Sequence, residues 1–230
     1  MAWALEGGLV DANPCTRMGR LYGEARADKI WKDKDEANFN AKAPVHLHLP
    51  LLMALWTGQR QGDLLALKWW AYDGQYIRLT QSKSVSKKRH RKPVRIVIPV
   101  GAPLKALDAA KVGKGPEDHI LLNSDGQPWT PDGFRSSWRK ACANAGLSGL
   151  RFHDLRGKAV TRLALATRTE VEIANYTGLS LTDVRAILDA NCTETKRWPR
   201  ALSGSETGTN FPKKLPKVSE CCNPETGKSE

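Results

Sequence analysis

The amino-acid sequence predicts a mainly α domain that carries one small antiparallel β-sheet. Most apolar residues between 44 and 190 fall into helix-period segments bounded by capping signals. Two short runs, 76–81 and 94–99, instead alternate apolar and polar residues, which is the pattern of half-buried strands. The first forty or so residues look incomplete, and residues 203–230, rich in Ser, Gly, Lys, Pro and Thr, read as a mostly disordered tail.

In chain order, Met1 to Val10 reads as the end of a helix closed by Gly7-Gly8, and Asn13-Pro14 opens an extended connection. Trp31 and Phe39 stand as anchors in an otherwise polar linker. Residues 44–57 form an apolar helix with Pro44 in its first turn, Pro50 as a bend or interruption, and Gly58 as its stop. A second helix is expected over roughly 61–70, with Leu64, Leu65 and Leu67 inward. The Asp73-Gly74 turn leads into a strand with Ile77 and Leu79 on one face, and the returning strand puts Val94, Ile96 and Ile98 on one face. Between them lies a cationic hairpin tip holding Lys83, Lys87, Lys88, Arg89, Arg91 and Lys92.

A short helix follows over Leu104 to Val112, then a short strand at Ile120 to Leu122 and a turn at Asp125-Gly126. Thr130-Pro131 supplies an N-cap with proline at the first helical position, and Gly146 closes that helix. His153 to Ala166 is helical. Thr169 to Glu172 is a capping box for a helix ending near Tyr176 and Gly178, and Ser180 to Asp183 opens the last helix, to about Ala190.

Composition narrows the partners. The chain has 230 residues, 40% of them hydrophobic, enough for one ordinary domain with a real core. Its formal net charge is +12, which favours a polyanion, with nucleic acid ahead of an anionic membrane. No apolar run approaches the roughly 18 residues of a membrane span, and no basic segment followed by an apolar run marks a signal peptide. The five cysteines are scattered, with neither a disulfide framework nor a metal-binding spacing, which fits a reducing cytosol and a cytoplasmic protein without metal or cofactor.

Four segments carry chemistry. Thr57 to Leu67 places Arg60 just after a helix-ending glycine and Asp63 three residues later. Gln81-Ser82-Lys83 puts a lysine at a strand end. His153-Asp154-Leu155-Arg156 sets a proton-exchanging group and a fixed cation on one helical face. Ala174 to Ser180 is followed a dozen residues later by Asn191-Cys192. Taken singly, each also fits a plain surface turn, strand end or unliganded helix start.

In this order and spacing the segments resemble the tyrosine recombinases of the phage-integrase family. The likeness runs from about Asn13 to about Lys214. It is closest at TGQRQGDLLALKW (57–69), Gln81 to Pro99, PWTPDGFRSSWRKACANAGL (128–147), FHDLRGKAVTRLA (152–164) and SLTDVRAILDA (180–190). The resemblance implies that Arg60 and Arg156 clamp a scissile phosphate, that Lys83 protonates the departing 5′ hydroxyl, that His153 opens the catalytic helix, and that Asp63 orients Arg60. It also implies double-stranded DNA as substrate, strand exchange through a 3′-phosphoryl-enzyme link, and other recombinase protomers, four on DNA in the family, as partners. Guanidinium groups suit charge that builds on non-bridging oxygens, and need no metal to do so.

Two family positions differ. Leu179 stands where the family has histidine, in Gly178-Leu179-Ser180, and leucine has no hydrogen bond to give a phosphate oxygen. Cys192 stands where the family has its nucleophilic tyrosine, and no tyrosine follows Tyr176. Tyr176 precedes the Gly178 turn, a place for packing or a surface contact. Three readings stay open: impaired cleavage with DNA binding kept, cleavage through Cys192 or a partner protomer's nucleophile, and a non-catalytic DNA-binding regulator or decayed mobile-element relic. The expected organisation is a remnant of an N-terminal core-binding domain at 1–12, a linker and domain start at 13–43, an integrase-like catalytic domain at 44–202 and a flexible tail at 203–230. Half of a DNA clamp is then missing, which would weaken affinity through fewer phosphate contacts.

Overall fold

The computed structural model of the chain describes residues 2–13, 29–82, 94–101 and 106–192. The expected cationic hairpin tip, with Lys83, Lys87, Lys88, Arg89, Arg91 and Lys92, and the expected C-terminal tail lie outside these residues. The described part is mainly α with one two-stranded antiparallel sheet.

After α1 (Ala2–Glu6), residues 29–43 depart from the linker expectation. Asp33–Lys42 forms helix α2, with Asp33, Asp35 and Glu36 in its first turn, where carboxylates favour the helix dipole. Trp31 and Phe39 are fully buried. They join Trp138 in a ring cluster, with Phe39 stacked on Trp138 at 4.5 Å and Trp31 edge-on to Phe39 at 5.7 Å. The polar residues around the two anchors are the outer face of this helix. Lys158 Nζ reaches Asp33 Oδ1 at 2.6 Å, and Arg162 Nη2 reaches Glu36 Oε2 at 2.6 Å, tying α2 to the helix α7 (Leu155–Leu165).

Pro50 does not interrupt its segment. A 3-10 turn at Val45–Leu47 leads into α3 (His48–Thr57), where Pro50 is the third residue and its missing N–H has no acceptor to lose. Gly58 ends α3 with φ 61°. A Cβ there would meet Thr177 Cγ2 at 3.0 Å and Ala159 Cβ at 3.2 Å, so glycine serves both the left-handed turn and a close helix approach.

The expected helix over 61–70 is shorter. It runs only over α4 (Gln61–Leu65), followed by a 3-10 turn at Trp69–Ala71. The backbone of 67–69 is drawn off by the segment 118–120: Trp69 N–H donates to Asp118 O at 3.0 Å and Ile120 N–H to Leu67 O at 2.9 Å. The strand expected at Ile120 to Leu122 is reduced to isolated bridges, His119 with Lys68 and Leu122 with Pro128.

Strands β1 (Tyr76–Thr80) and β2 (Arg95–Pro99) pair with Ile77 opposite Ile98 and Leu79 opposite Ile96, and all four are buried. Val94, expected on the same inward face, lies before β2 and is 42% exposed. A short helix α5 (Ala106–Lys111) follows. Helix α6 (Pro131–Asn144) opens as the sequence predicts, with Thr130 Oγ1 accepting from Gly133 N–H. The 3-10 turn Phe152–Asp154 precedes α7. Helix α8 (Glu170–Thr177) carries the Thr169–Glu172 capping box and ends at Gly178 with φ 67°. Helix α9 (Leu181–Cys192) ends the described chain.

Helices α3, α7, α8 and α9 pack on one another, with β2 against α8. The aromatic cluster continues from Trp138 to Phe152 at 4.8 Å and from Phe152 to Phe134 at 5.0 Å, so the rings under α2 and α6 support the turn that carries His153. Trp31 Nε1–H donates to Arg151 O at 3.2 Å beside it.

Replacing Phe39 by Ala removes a ring stacked at the centre of this cluster and is expected to cost about 3–5 kcal/mol, lowering Tm by roughly 10 °C in a thermal melt. An unchanged Tm would mean that α2 is not part of the folded body.

Candidate functional site

The starts of α4 and α7, the turn after α8 and one side of α9 meet at a cleft of about 590 Å³. Its lining includes Arg60, His153, Arg156, Leu179, Ala190 and Asn191. Arg60 enters because Gly58 turns the chain sharply after α3, which leaves Arg60 as the extended N-cap of α4. Arg156 enters from the first turn of α7, and Leu179 follows the left-handed Gly178 at the end of α8.

Arg156 is only 4% exposed. Its Nη2 donates to the carbonyl of Thr177 at 3.0 Å, and its Nη1 is buried without a hydrogen-bond partner. Burial, and then the like charge of Arg60, pull its pKa down to about 10, while Asp63 and Asp183 act the other way. It therefore keeps its charge at neutral pH, under strain from lost hydration. A buried cation with an unused donor beside a second cation is an arrangement that an oxyanion completes.

Arg60 is held by a glutamine. Arg60 Nη1 donates to Gln81 Oε1 at 2.9 Å. Gln81 Nε2 in turn donates to Gln59 Oε1 at 2.8 Å and to Thr177 O at 2.9 Å. Gln59 Nε2 donates to the carbonyls of Thr57 and Tyr176, both at 3.1 Å. These side chains supply donors to the last carbonyls of α3 and α8, which no intrahelical N–H can reach.

Asp63 stands 4.0 Å from Arg60 in an ion pair, and both of its hydrogen bonds go elsewhere. Its Oδ1 accepts from Ser82 N–H at 2.9 Å and from Ser82 Oγ–H at 2.7 Å. Asp63 thus fixes the residue directly before Lys83.

His153 is exposed in its 3-10 turn and lies on the rim where the cleft adjoins a second hollow of about 330 Å³ bordered by Arg135 and Arg139. Leu179 puts an apolar side chain into the cleft wall. Cys192 is the last residue of α9, and Asn191 before it donates from Nδ2 to Thr161 Oγ1 at 2.6 Å, which anchors the end of α9 on α7 beside the cleft. Tyr176 is turned away from the cleft. It is 3% exposed, its hydroxyl donates to Trp56 O at 3.1 Å, and burial pushes its pKa up. It packs, as its place before the turn predicts.

The structure brings Arg60, Asp63, His153, Arg156 and Leu179 together, and leaves Lys83 and the tip cations outside the described residues. Sequence reasoning missed Gln59, Gln81 and Thr177. For Gln81 a signal existed: it continues the inward parity of Ile77 and Leu79, and an amide on a buried strand face needs partners. Among the described residues no cluster of His, Cys, Asp and Glu could hold a metal ion, and no helix is long and apolar enough to cross a membrane.

Comparison with known proteins bears on this geometry. An integrase of Mycobacterium phage FRAT1 is 27% identical over 189 residues, covering 75% of this chain and 56% of that protein. The integrase of Escherichia phage HK022 is 26% identical over 166 residues, covering 66% of this chain and 44% of that protein. The chain spans about half the length of such curated relatives, between 50% and 56% of the mycobacteriophage integrases. Among solved structures, a lambda integrase dimer bound to a COC′ core site superposes with a TM-score of 0.66 at 22% identity, over 88% of this chain and 59% of that one. The lambda integrase catalytic core superposes with a TM-score of 0.54 at 23% identity, over 65% of this chain and 91% of that one. XerA recombinase does so with a TM-score of 0.57 at 16% identity, over 75% and 66%. These likenesses show a shared fold. Residues 27–179, well over half of the chain, match the phage integrase family, and the chain belongs to that family.

Proposed function

We propose that this chain is a DNA-binding, site-specific recombinase domain that engages the phosphodiester backbone for DNA integration and recombination, with its own strand cleavage reduced or lost. The observation that carries this reading is the buried Arg156, which lines the same cleft as Arg60 and whose Nη1 has no hydrogen-bond partner. In this reading the two guanidinium groups hold the non-bridging oxygens of one phosphate, and His153 contributes from the rim. Lys83, one residue beyond the Asp63-held Ser82, serves as the proton donor to the leaving 5′ hydroxyl. Lys87, Lys88, Arg89, Arg91 and Lys92 contact phosphates beside the site.

The impairment rests on two residues. Leu179 offers the phosphate an apolar side chain where the family has a donor, and Cys192 replaces the phenol nucleophile of a reaction that would otherwise form a 3′-phosphoryl-enzyme link. Attack by a thiolate would give a phosphorothiolate link, with different energetics. No metal or cofactor enters this scheme, the partners are double-stranded DNA and further protomers, and the setting is the cytoplasm. The apolar Leu179 in the cleft wall also favours a second reading, a regulator that binds DNA and never cuts it.

Duplex binding measured against salt is expected to be tight at low salt and to weaken steeply as salt rises. Replacing both Arg60 and Arg156 by Ala is expected to lower the log–log slope by about 0.9, for the one phosphate that the pair holds. No wild-type binding at low salt would refute the reading.

A nicked suicide duplex distinguishes impaired from active cleavage. Little or no covalent adduct is expected from the wild type. An adduct that Cys192→Ala abolishes would show an active thiol nucleophile, and one abolished by Tyr176→Phe would overturn the packing role given to Tyr176.

A further inference from the structure

We infer that Gln81 is a positioning residue that sets Arg60 relative to Arg156. This rests on the reading of the cleft as a phosphate clamp. The side chain is 2% exposed and uses both ends of its amide. Its oxygen accepts from Arg60, and its nitrogen donates to Thr177 O, the same carbonyl that accepts from Arg156 Nη2. One carbonyl and one amide therefore connect the two guanidinium groups through bonds of 2.9, 2.9 and 3.0 Å. The second bond from Gln81 Nε2, to Gln59 Oε1, fixes which way the amide faces.

The requirement is specific to a neutral group that both donates and accepts. A carboxylate at 81 would face two acceptors, Gln59 Oε1 and Thr177 O, and would neutralise Arg60. An apolar side chain of similar length would leave Arg60 unguided and the Thr177 carbonyl with one donor fewer. The room is shaped to the amide, since a Cβ on Gly178 would overlap it. Gln81 N–H also donates to Val94 O at 3.0 Å, so its backbone continues the pairing of β1 with β2.

A double-mutant cycle on the full chain tests this role. Affinity for a fluorescent duplex oligonucleotide at low salt is measured for the wild type, Gln81→Met, Arg60→Ala and the double variant, with a thermal melt of each. Gln81→Met is expected to bind about tenfold more weakly, the scale of one charge-assisted hydrogen bond. In the Arg60→Ala background the same change is expected to add nothing, because Gln81 acts through Arg60. Equal affinity of Gln81→Met and the wild type overturns the inference alone, as do additive losses in the double variant. So does unfolding of Gln81→Met where Arg60→Ala stays folded, since that assigns the side chain to the stability of the body. A wild type that binds no duplex overturns this inference together with the clamp reading beneath it.

Discussion

A guanidinium group taken out of water loses several kcal/mol of hydration unless protein groups replace it. Arg156 is such a group, and much of the surrounding structure serves to hold it. It rises from the first turn of α7 and lies against the last carbonyl of α8. Its charge is kept at neutral pH although burial and Arg60 both oppose it. One of its donors has no hydrogen-bond partner, and the residue lines the cleft that Arg60 also lines. The fold therefore concentrates positive charge at a point where charge alone would make it less stable. Strongly perturbed titratable groups cluster at functional sites.

The rest of the site follows from ending helices in the right place. Gly58 and Gly178 end α3 and α8 in left-handed turns, which bring the carbonyl ends of both helices to one locus. Those carbonyls need donors, and Gln59, Gln81 and Arg156 supply them. Capping and charge placement are thus one network. The aromatic cluster of Trp31, Phe39, Phe134, Trp138 and Phe152 supports the other wall, and the ion pairs from α2 to Lys158 and Arg162 hold α7 in place against it.

Much of this was legible in the sequence because it depends on local rules. The Thr130-Pro131 start, the Thr169 capping box and the glycine stops each act within a single turn, and each stands where local chemistry puts it. The facing of Ile77, Leu79, Ile96 and Ile98 follows from strand parity. What escaped depends on distant partners. The second helix ends early because residues 118–120 take its backbone groups, and no local signal announces that. The segment around Trp31 and Phe39 reads as a linker because its polar residues outnumber the two anchors, whose partner Trp138 lies about a hundred residues away in sequence. The hydrogen bonds between Ser82 and Asp63 were equally out of reach, since they join α4 to the segment after β1. The site arginines were found through motif order, and the glutamine that joins them was not, although its inward parity pointed to it.

The most direct test of the central claim is to locate an oxyanion. Crystals of the full chain soaked in tungstate, with anomalous scattering used to place the metal, would report where a tetrahedral oxyanion binds. The account predicts a strong peak within hydrogen-bonding reach of both Arg60 and Arg156 Nη1. It also predicts loss of that peak in Arg156→Lys, whose single ammonium cannot serve Thr177 O and the anion in the same geometry. Tungstate bound elsewhere on the basic surface, with the cleft empty, would contradict the account.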